Sequence, residues 1–104
     1  SDDMIITSGY NIAGPEVEAA LMAHPSVSEC AVVGIPDEER GSLVKAFVVL
    51  RDGTEENEAM KQTLQDFVKK TIAPYKYPRS IEFRKSLPKT ETGKIQRFRL
   101  REEG

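Results

Sequence analysis

Lys94 follows directly on Gly93 in the hydroxyl-rich stretch Thr90-Glu91-Thr92-Gly93-Lys94. Glycine lets a backbone adopt positive φ or approach a ligand closely. A lysine presented there is a compact, mobile positive charge suited to phosphate or carboxylate. The Gly-x4-Gly-Lys-Ser/Thr spacing of a phosphate loop is missing, and no strand leads into the stretch. Taken by itself, a Gly-Lys pair in a loop is also ordinary turn chemistry. The charge distribution adds to the signal. Residues 1–68 carry 4 Lys/Arg against 13 Asp/Glu, whereas residues 69–101 carry 11 Lys/Arg against Glu82 and Glu91. Such segregation points either to an anionic partner near the carboxyl end or to a solvated basic face that balances an acidic one.

Composition narrows the classes that can use these residues. The 104 residues suffice for one compact domain, 1–104, and 38% hydrophobic with 31% charged residues supports a modest core. One cysteine, Cys30, excludes an intramolecular disulfide, and with one histidine, His24, no multi-Cys or multi-His metal centre is available; no metal ligands are expected. Cys30 reads as a small buried strand residue and His24 as a helix-end residue. No apolar run approaches the roughly 20 residues of a membrane span, and no basic-then-apolar signal opens the chain. A soluble domain from a reducing compartment is expected.

The elements that must position Lys94 follow from periodicity and punctuation. Met4–Thr7 and Tyr10–Ile12 read as two short strands around a Ser8-Gly9 turn. Strands this short need something to pack against, so the opening reads as part of a larger protein. Gly14-Pro15-Glu16 begins a helix with Val17, Ala20 and Leu21 on one face, stopped by His24-Pro25. Val27–Ile35 and Leu43–Leu50 are β-rich and expected to pair antiparallel at the sheet centre, joined by the polar loop 36–41. A second helix carries Met60, Leu64, Phe67 and Val68 at helical spacing, with Thr54 as its N-cap and Pro74 at its end. Ser80–Phe83 alternates as a half-buried strand. After the loop 87–94, Ile95–Leu100 reads as a short helix. The expected fold class is α+β: a small, about three-stranded, antiparallel-centred sheet packed with helices and preceded by a β-hairpin.

Two separated motifs carry a family resemblance that spans the chain. Leu87-Pro88-Lys89-Thr90-x-Thr92-Gly93-Lys94-Ile95-x-Arg97 resembles the terminal motif of the acyl-adenylate-forming enzymes, among them acyl-CoA synthetases and peptide-synthetase adenylation domains. Ser1-Asp2-Asp3-Met4-Ile5-Ile6-x-Ser8-Gly9-Tyr10-x-Ile12-x5-Val17-Glu18 resembles the hinge motif that opens their small carboxy-terminal domain. His24-Pro25-x-Val27 and Ala31-Val32-Val33-Gly34-Ile35-Pro36-Asp37 resemble the stretches between them. The resemblance implies a lid domain of a two-step ligase. ATP and a carboxylic acid first give an acyl-adenylate; a thiol, that of CoA, then displaces AMP. It places the adenylation lysine on Lys94, where an ammonium relieves repulsion between carboxylate and α-phosphate. It places the hinge on Asp2, beside Asp3, and a pantetheine channel at Ser8, Gly9 and Tyr10. It further implies that Arg40, Lys69, Tyr77, Pro78 and Arg79 approach the CoA nucleotide. The phosphate-binding loop, the acyl pocket and the residues linked to Mg2+ would belong to a large amino-terminal domain, the partner of this one. The isolated domain is then not expected to be active alone.

Within the family, Ser8 to Glu18, Ala73 to Arg79 and Lys94 to Leu100 are similar to benzoate- and 2-aminobenzoate-CoA ligases. Medium-chain fatty acyl-CoA synthetases share much of the latter two stretches, so an aryl acid is the expected substrate and a medium-chain acid the alternative. A cytoplasmic location is implied, or the mitochondrial matrix in a eukaryote. From another class, a nucleic-acid-binding module could use residues 69–101. The 13 acids elsewhere and the lack of RNA-binding signatures with interleaved aromatics count against it, and no nucleic-acid partner is expected. A stand-alone interaction domain that lost the chemistry is disfavoured by the presence of both Lys94 and Gly9.

Overall fold

Residues 4–103 are described by the computed structural model. Strands β1 (Met4–Thr7) and β2 (Tyr10–Ala13) pair antiparallel with Thr7 opposite Tyr10. The two intervening residues, Ser8 and Gly9, have φ of 50° and 82°. Two positive φ values suit a type I′ turn, whose twist matches that of the strands. Ile5 and Ile12 are buried, and Met4 and Ile6 on the other face are exposed. Gly34 admits this hairpin: a Cβ there would lie 3.0 Å from Ile5 Cγ2.

Helix α1 (Gly14–Met22) has Pro15 in its first turn and no side-chain cap. Proline lacks the N–H that a cap would satisfy. Val17, Ala20 and Leu21 are buried as their spacing requires. Beyond the helix, His24 Nδ1 accepts the Ser26 N–H at 3.1 Å, and the ring stands edge-on to Phe67.

Strands β3 (Val27–Asp37) and β4 (Gly41–Leu50) pair antiparallel, as expected, from Asp37 opposite Gly41 down to Val27 opposite Leu50. They are longer than expected, and the connection shrinks to Glu38, Glu39 and Arg40, closed by Gly41 at φ 83°. The second helix, α2 (Glu58–Thr71), is capped by Asn57 instead of Thr54. Asn57 Oδ1 accepts the Met60 N–H at 2.8 Å, while the Thr54 N–H closes a turn onto the Arg51 carbonyl. A 3-10 turn, Pro74–Lys76, follows α2.

Strand β5 (Ser80–Phe83) pairs with β4 in parallel, Lys45 opposite Ser80 through Val48 opposite Phe83. The sheet, in order β3-β4-β5, is therefore mixed and not antiparallel throughout. The reason is connectivity: α2 carries the chain back to the end where β4 began, so β5 runs the same way. Helix α3 (Arg97–Glu103) starts two residues later than the pattern suggested. Ile95 is instead bridged to Lys89, and the Gln96 N–H bonds the Pro88 carbonyl.

Two cores result, one on each sheet face. Ile5, Ile12, Leu21, Val32, Val48, Leu64 and Val68 join the hairpin, α1 and α2 to one face. On the other, Phe47 and Val33 meet Leu87 and Leu100. An ion pair ties α3 to α1: Arg97 Nε and Nη2 reach the two oxygens of Glu18 at 2.7 and 2.6 Å. Glu18 Oε2 also accepts the Val32 N–H at 2.8 Å. Replacing Glu18 by Gln removes the charge that faces Arg97 in a site only 14% exposed on the Glu18 side. Glu18→Gln is expected to lower the unfolding free energy by about 2–3 kcal/mol, measured by urea denaturation of this chain. A change below about 0.5 kcal/mol, the size of an exposed pair, would show that the clamp is not structural.

Candidate functional site

Lys94 closes a small hairpin of its own. Lys89 and Ile95 form its bridged stem. Inside it, the Thr90 N–H bonds the Lys94 carbonyl at 2.8 Å, and the Gly93 N–H bonds the Thr90 carbonyl at 3.0 Å. The Thr90 hydroxyl accepts the Lys94 N–H at 3.1 Å and lies 3.1 Å from the Thr92 hydroxyl. Gly93 turns the chain at φ 89°, with nothing within 4 Å of where a Cβ would stand. Lys94 is exposed, and its ammonium has no hydrogen-bond or ion-pair partner among the described residues. Lys45, Lys76, Lys85 and Lys89 each meet a carboxylate instead. The arrangement is a backbone-braced arm ending in an uncommitted cation, able to enter an anionic site on another body.

The other expected residues assemble around a different end of the sheet. The Ser8 N–H bonds the Arg40 carbonyl at 2.9 Å, joining the β1–β2 turn to the β3–β4 turn. The Arg40 guanidinium lies 3.3 Å from Asp37. Tyr10 stacks on Tyr75 with ring centroids 4.6 Å apart. Tyr77 has Lys69 Nζ 4.3 Å from its ring centre and the Arg79 guanidinium at 5.1 Å. Its hydroxyl accepts from Arg79 Nη1 at 2.9 Å. The Arg79 N–H bonds the Val44 carbonyl, which anchors the segment at the start of the parallel pair. Pro78 is fully buried and its carbonyl accepts from Gln65. Its ring therefore holds the segment and has no open surface for a ligand. Beyond Arg79, a polar cleft runs between α2 and β5, lined by Glu58, Lys61, Gln62 and Gln65.

Ser8, Gly9, Tyr10 and Arg40 thus form one cluster at the joined turns and Lys69, Tyr77 and Arg79 a second, linked to it through the Tyr75–Tyr77 segment, and Lys94 makes no contact with either among the described residues. The Lys94 stem is tied to Glu29 through Lys89 at 2.6 Å, and the first cluster to Asp37 through Arg40. Glu29 and Asp37 stand eight residues apart on β3, about 26 Å in an extended strand. Asp2 lies outside the described residues. Two features went unread in the sequence. Tyr75 is the stacking partner of Tyr10, and Glu18 and Glu29 are the counter-ions flanking the Lys94 hairpin. No local spacing signals contacts over such separations.

The basic region is not a continuous cationic surface. Lys76, Arg84, Lys85, Lys89 and Arg97 are each matched with Glu residues. Among the described residues no cluster of three or more His, Cys, Asp or Glu could hold a metal ion. No described helix is long and apolar enough to cross a membrane.

Cys30 is buried beneath α1, its Sγ 3.5 Å from the Glu18 carbonyl. Burial first, and the Glu18 charge second, push its thiol up from an ordinary 9.0 to about 12, against a smaller lowering by Arg97. Because folding raises this pKa, the stability it contributes is complete below about pH 9 and is lost as pH rises towards 12. The stability advantage of the natural chain over Cys30→Ala should therefore shrink between about pH 9 and 12 in urea titrations. A gap that stays constant with pH would contradict the assignment.

The described residues form a mixed three-stranded α+β body with an appended hairpin and an exposed lysine arm. Likeness to known proteins supplies its family. The family of AMP-binding enzyme C-terminal domains matches residues 16–94, and the chain belongs to that family. It is 56% identical over 101 residues to an uncharacterized acyl–CoA ligase, YtcI, of Bacillus subtilis, covering 97% of this chain and 19% of that protein. With the mitochondrial acyl-coenzyme A synthetase ACSM3 of Mus musculus it shares 53% identity over 103 residues, 97% of this chain and 18% of the relative. A crystal structure of the Brucella canis acyl-CoA synthetase superposes with TM-score 0.95 at 50% identity, covering 98% of this chain and 19% of that one. The anthranilate CoA ligase AuaEII, solved with anthranoyl-AMP, superposes at 0.88 with 46% identity, over 98% and 20% of the two chains. The chain spans about a fifth of the length of these relatives.

Proposed function

We propose that this domain is the lid of an ATP-dependent, AMP-forming acid–CoA ligase and serves its two half-reactions with two different ends. The supporting observation is the separation just described. The Lys94 arm and the Gly9–Tyr77 group are rooted eight residues apart on β3, through Glu29 and Asp37. In this reading the domain turns between steps to present first one and then the other.

In the first step an oxygen of the acid's carboxylate attacks the α-phosphorus of ATP, and pyrophosphate leaves. The Lys94 ammonium bridges attacking carboxylate and α-phosphate, cancelling their repulsion and stabilising the charge that builds in the transition state. Its freedom from internal ion pairs leaves the whole charge available. In the second step the CoA sulfur attacks the acyl carbonyl and AMP departs. The turn at Gly9 leaves room for the thin pantetheine arm, Tyr77 offers a ring face to the adenine, and Arg40, Lys69 and Arg79 meet the phosphates. The part of Pro78 in this reading is to hold Tyr77 and Arg79 in place. Asp2 is the hinge, and Mg2+ accompanies ATP through residues of the large amino-terminal domain. The location is the cytoplasm, or the mitochondrial matrix in a eukaryote.

An aryl acid of the benzoate or 2-aminobenzoate type is the proposed substrate. The 46% identity to an anthranilate CoA ligase supports it. Offered benzoate, 2-aminobenzoate and hexanoate, the full-length enzyme should form thioesters with the aryl acids; hexanoate turnover alone would move the substrate to medium-chain acids.

In that enzyme Lys94→Ala should cut acyl-adenylate formation by about a hundredfold or more and spare thioester formation from supplied acyl-adenylate. Equal loss of both half-reactions would remove the proposed role. Gly9→Leu should do the reverse. The positive φ costs a non-glycine residue about 1 kcal/mol, but among the described residues no atom beyond the chain neighbours Ser8 and Tyr10 lies within 4 Å of the new Cβ. A lost CoA half-reaction would thus report on space outside this domain, and an unchanged one would count against a channel there. Asp2→Pro should retain one half-reaction and lose overall turnover; normal turnover would rule out the hinge.

A further inference from the structure

We propose that Glu29 is a positioning residue for adenylation, acting through Lys89 on the hairpin that presents Lys94. The inference rests on the ligase reading and extends it to residues outside the reacting set.

The Lys94 hairpin stands away from the body. Thr90 to Lys94 are exposed, and beyond its chain neighbours no described atom lies within 4 Å of where a Cβ on Gly93 would stand. Its stem is a single antiparallel bridge, Lys89 to Ile95, and a hairpin on so short a stem is not rigid by itself. Two ionic contacts flank it. On the carboxyl side, Arg97 is held by Glu18, a contact that the fold also needs. On the amino side, Lys89 Nζ meets Glu29 Oε1 at 2.6 Å. Glu29 lies on β3 directly after the register shift that separates it from Val27. Irregularities of this kind re-aim a side chain relative to the regular strand, and here the result is a carboxylate at the root of the arm.

The two contacts differ in what they do for folding. Both partners of the Lys89–Glu29 pair are 34% exposed at their side chains, and exposed pairs add little to stability. Yet Lys89 is itself half of the only bridge in the stem. Holding it fixes the direction in which the arm leaves the sheet, and so where the Lys94 ammonium arrives. Displacement of a reacting group by an ångström lowers rates by up to about a hundredfold. A pair of small structural value at this point is thus matched to geometry.

The test uses the full-length ligase with Glu29→Gln, Lys89→Met, the exchanged pair Glu29→Lys with Lys89→Glu, and Lys94→Ala as reference. Adenylation is followed by acid-dependent ATP–pyrophosphate exchange, thioester formation from supplied acyl-adenylate, and folding by the unfolding midpoint. Glu29→Gln and Lys89→Met should each lower kcat for adenylation roughly tenfold to a hundredfold. KM for ATP and acid, thioester formation and the unfolding midpoint should stay near those of the natural enzyme. The exchanged pair should recover most of the loss. Adenylation at the natural rate in both single variants, equal loss in both half-reactions, or no recovery in the exchanged pair would overturn the proposal. If Lys94→Ala abolishes adenylation while Glu29→Gln and Lys89→Met do not affect it, only this inference fails. If Lys94→Ala leaves adenylation intact, the ligase reading fails with it.

Discussion

Glu18 stands where helix α1, strand β3 and helix α3 meet. Its two oxygens take both reaching nitrogens of Arg97 and the backbone N–H of Val32. A partly buried carboxylate with three donors is satisfied, and removing any one leaves an exposed cost elsewhere. The contact does more than join two helices. It gives the free edge of β3 a side-chain acceptor, fixes the start of α3, and through α3 seats Leu100 under Phe47 in the second core. The Lys94 hairpin lies between that second core, at Leu87, and Arg97. Its position is set by everything that Glu18 holds.

Each half of the molecule is thereby given a distinct mechanical character. The end bearing Ser8, Arg40 and Tyr77 is braced by backbone hydrogen bonds between turns and by stacked rings, which tolerate little adjustment. The other end carries an arm with one bridged pair and ionic feet. A preformed surface suits recognition of an extended ligand, whereas a projecting charge suits delivery into a site formed by another body. The sheet between them sets their spacing.

Local patterns predicted most of the elements. Val17, Ala20 and Leu21, and Leu64 with Val68, face the core as helical spacing required, and Ser8-Gly9 makes the turn its types suggest. What the sequence did not disclose was relational. Thr54 and Asn57 are both competent caps, and only the turn that consumes the Thr54 N–H decides between them. Strand β5 alternates equally well in either direction; the return path through α2 makes it parallel. Ile95 has the spacing of a helix residue but is taken by its bridge to Lys89. At the site, Lys94 and Gly9 were legible because motifs of adjacent residues carry them. Tyr10 with Tyr75, Lys89 with Glu29 and Arg97 with Glu18 join residues 60 or more positions apart along the chain, where no periodicity reaches.

The 79-residue separation of Glu18 from Arg97 also orders events in time. Loop closure over such a span is slow compared with forming a helix or a local turn. During synthesis the hairpin, α1, β3 and β4 emerge and can associate while the last residues are still in the ribosome. Glu18 waits without its partner, and the arm has only one foot. The Lys94 arm is therefore among the later features of the domain to find its place, and a nascent chain carries the β3–β4 pair well before it carries the arm.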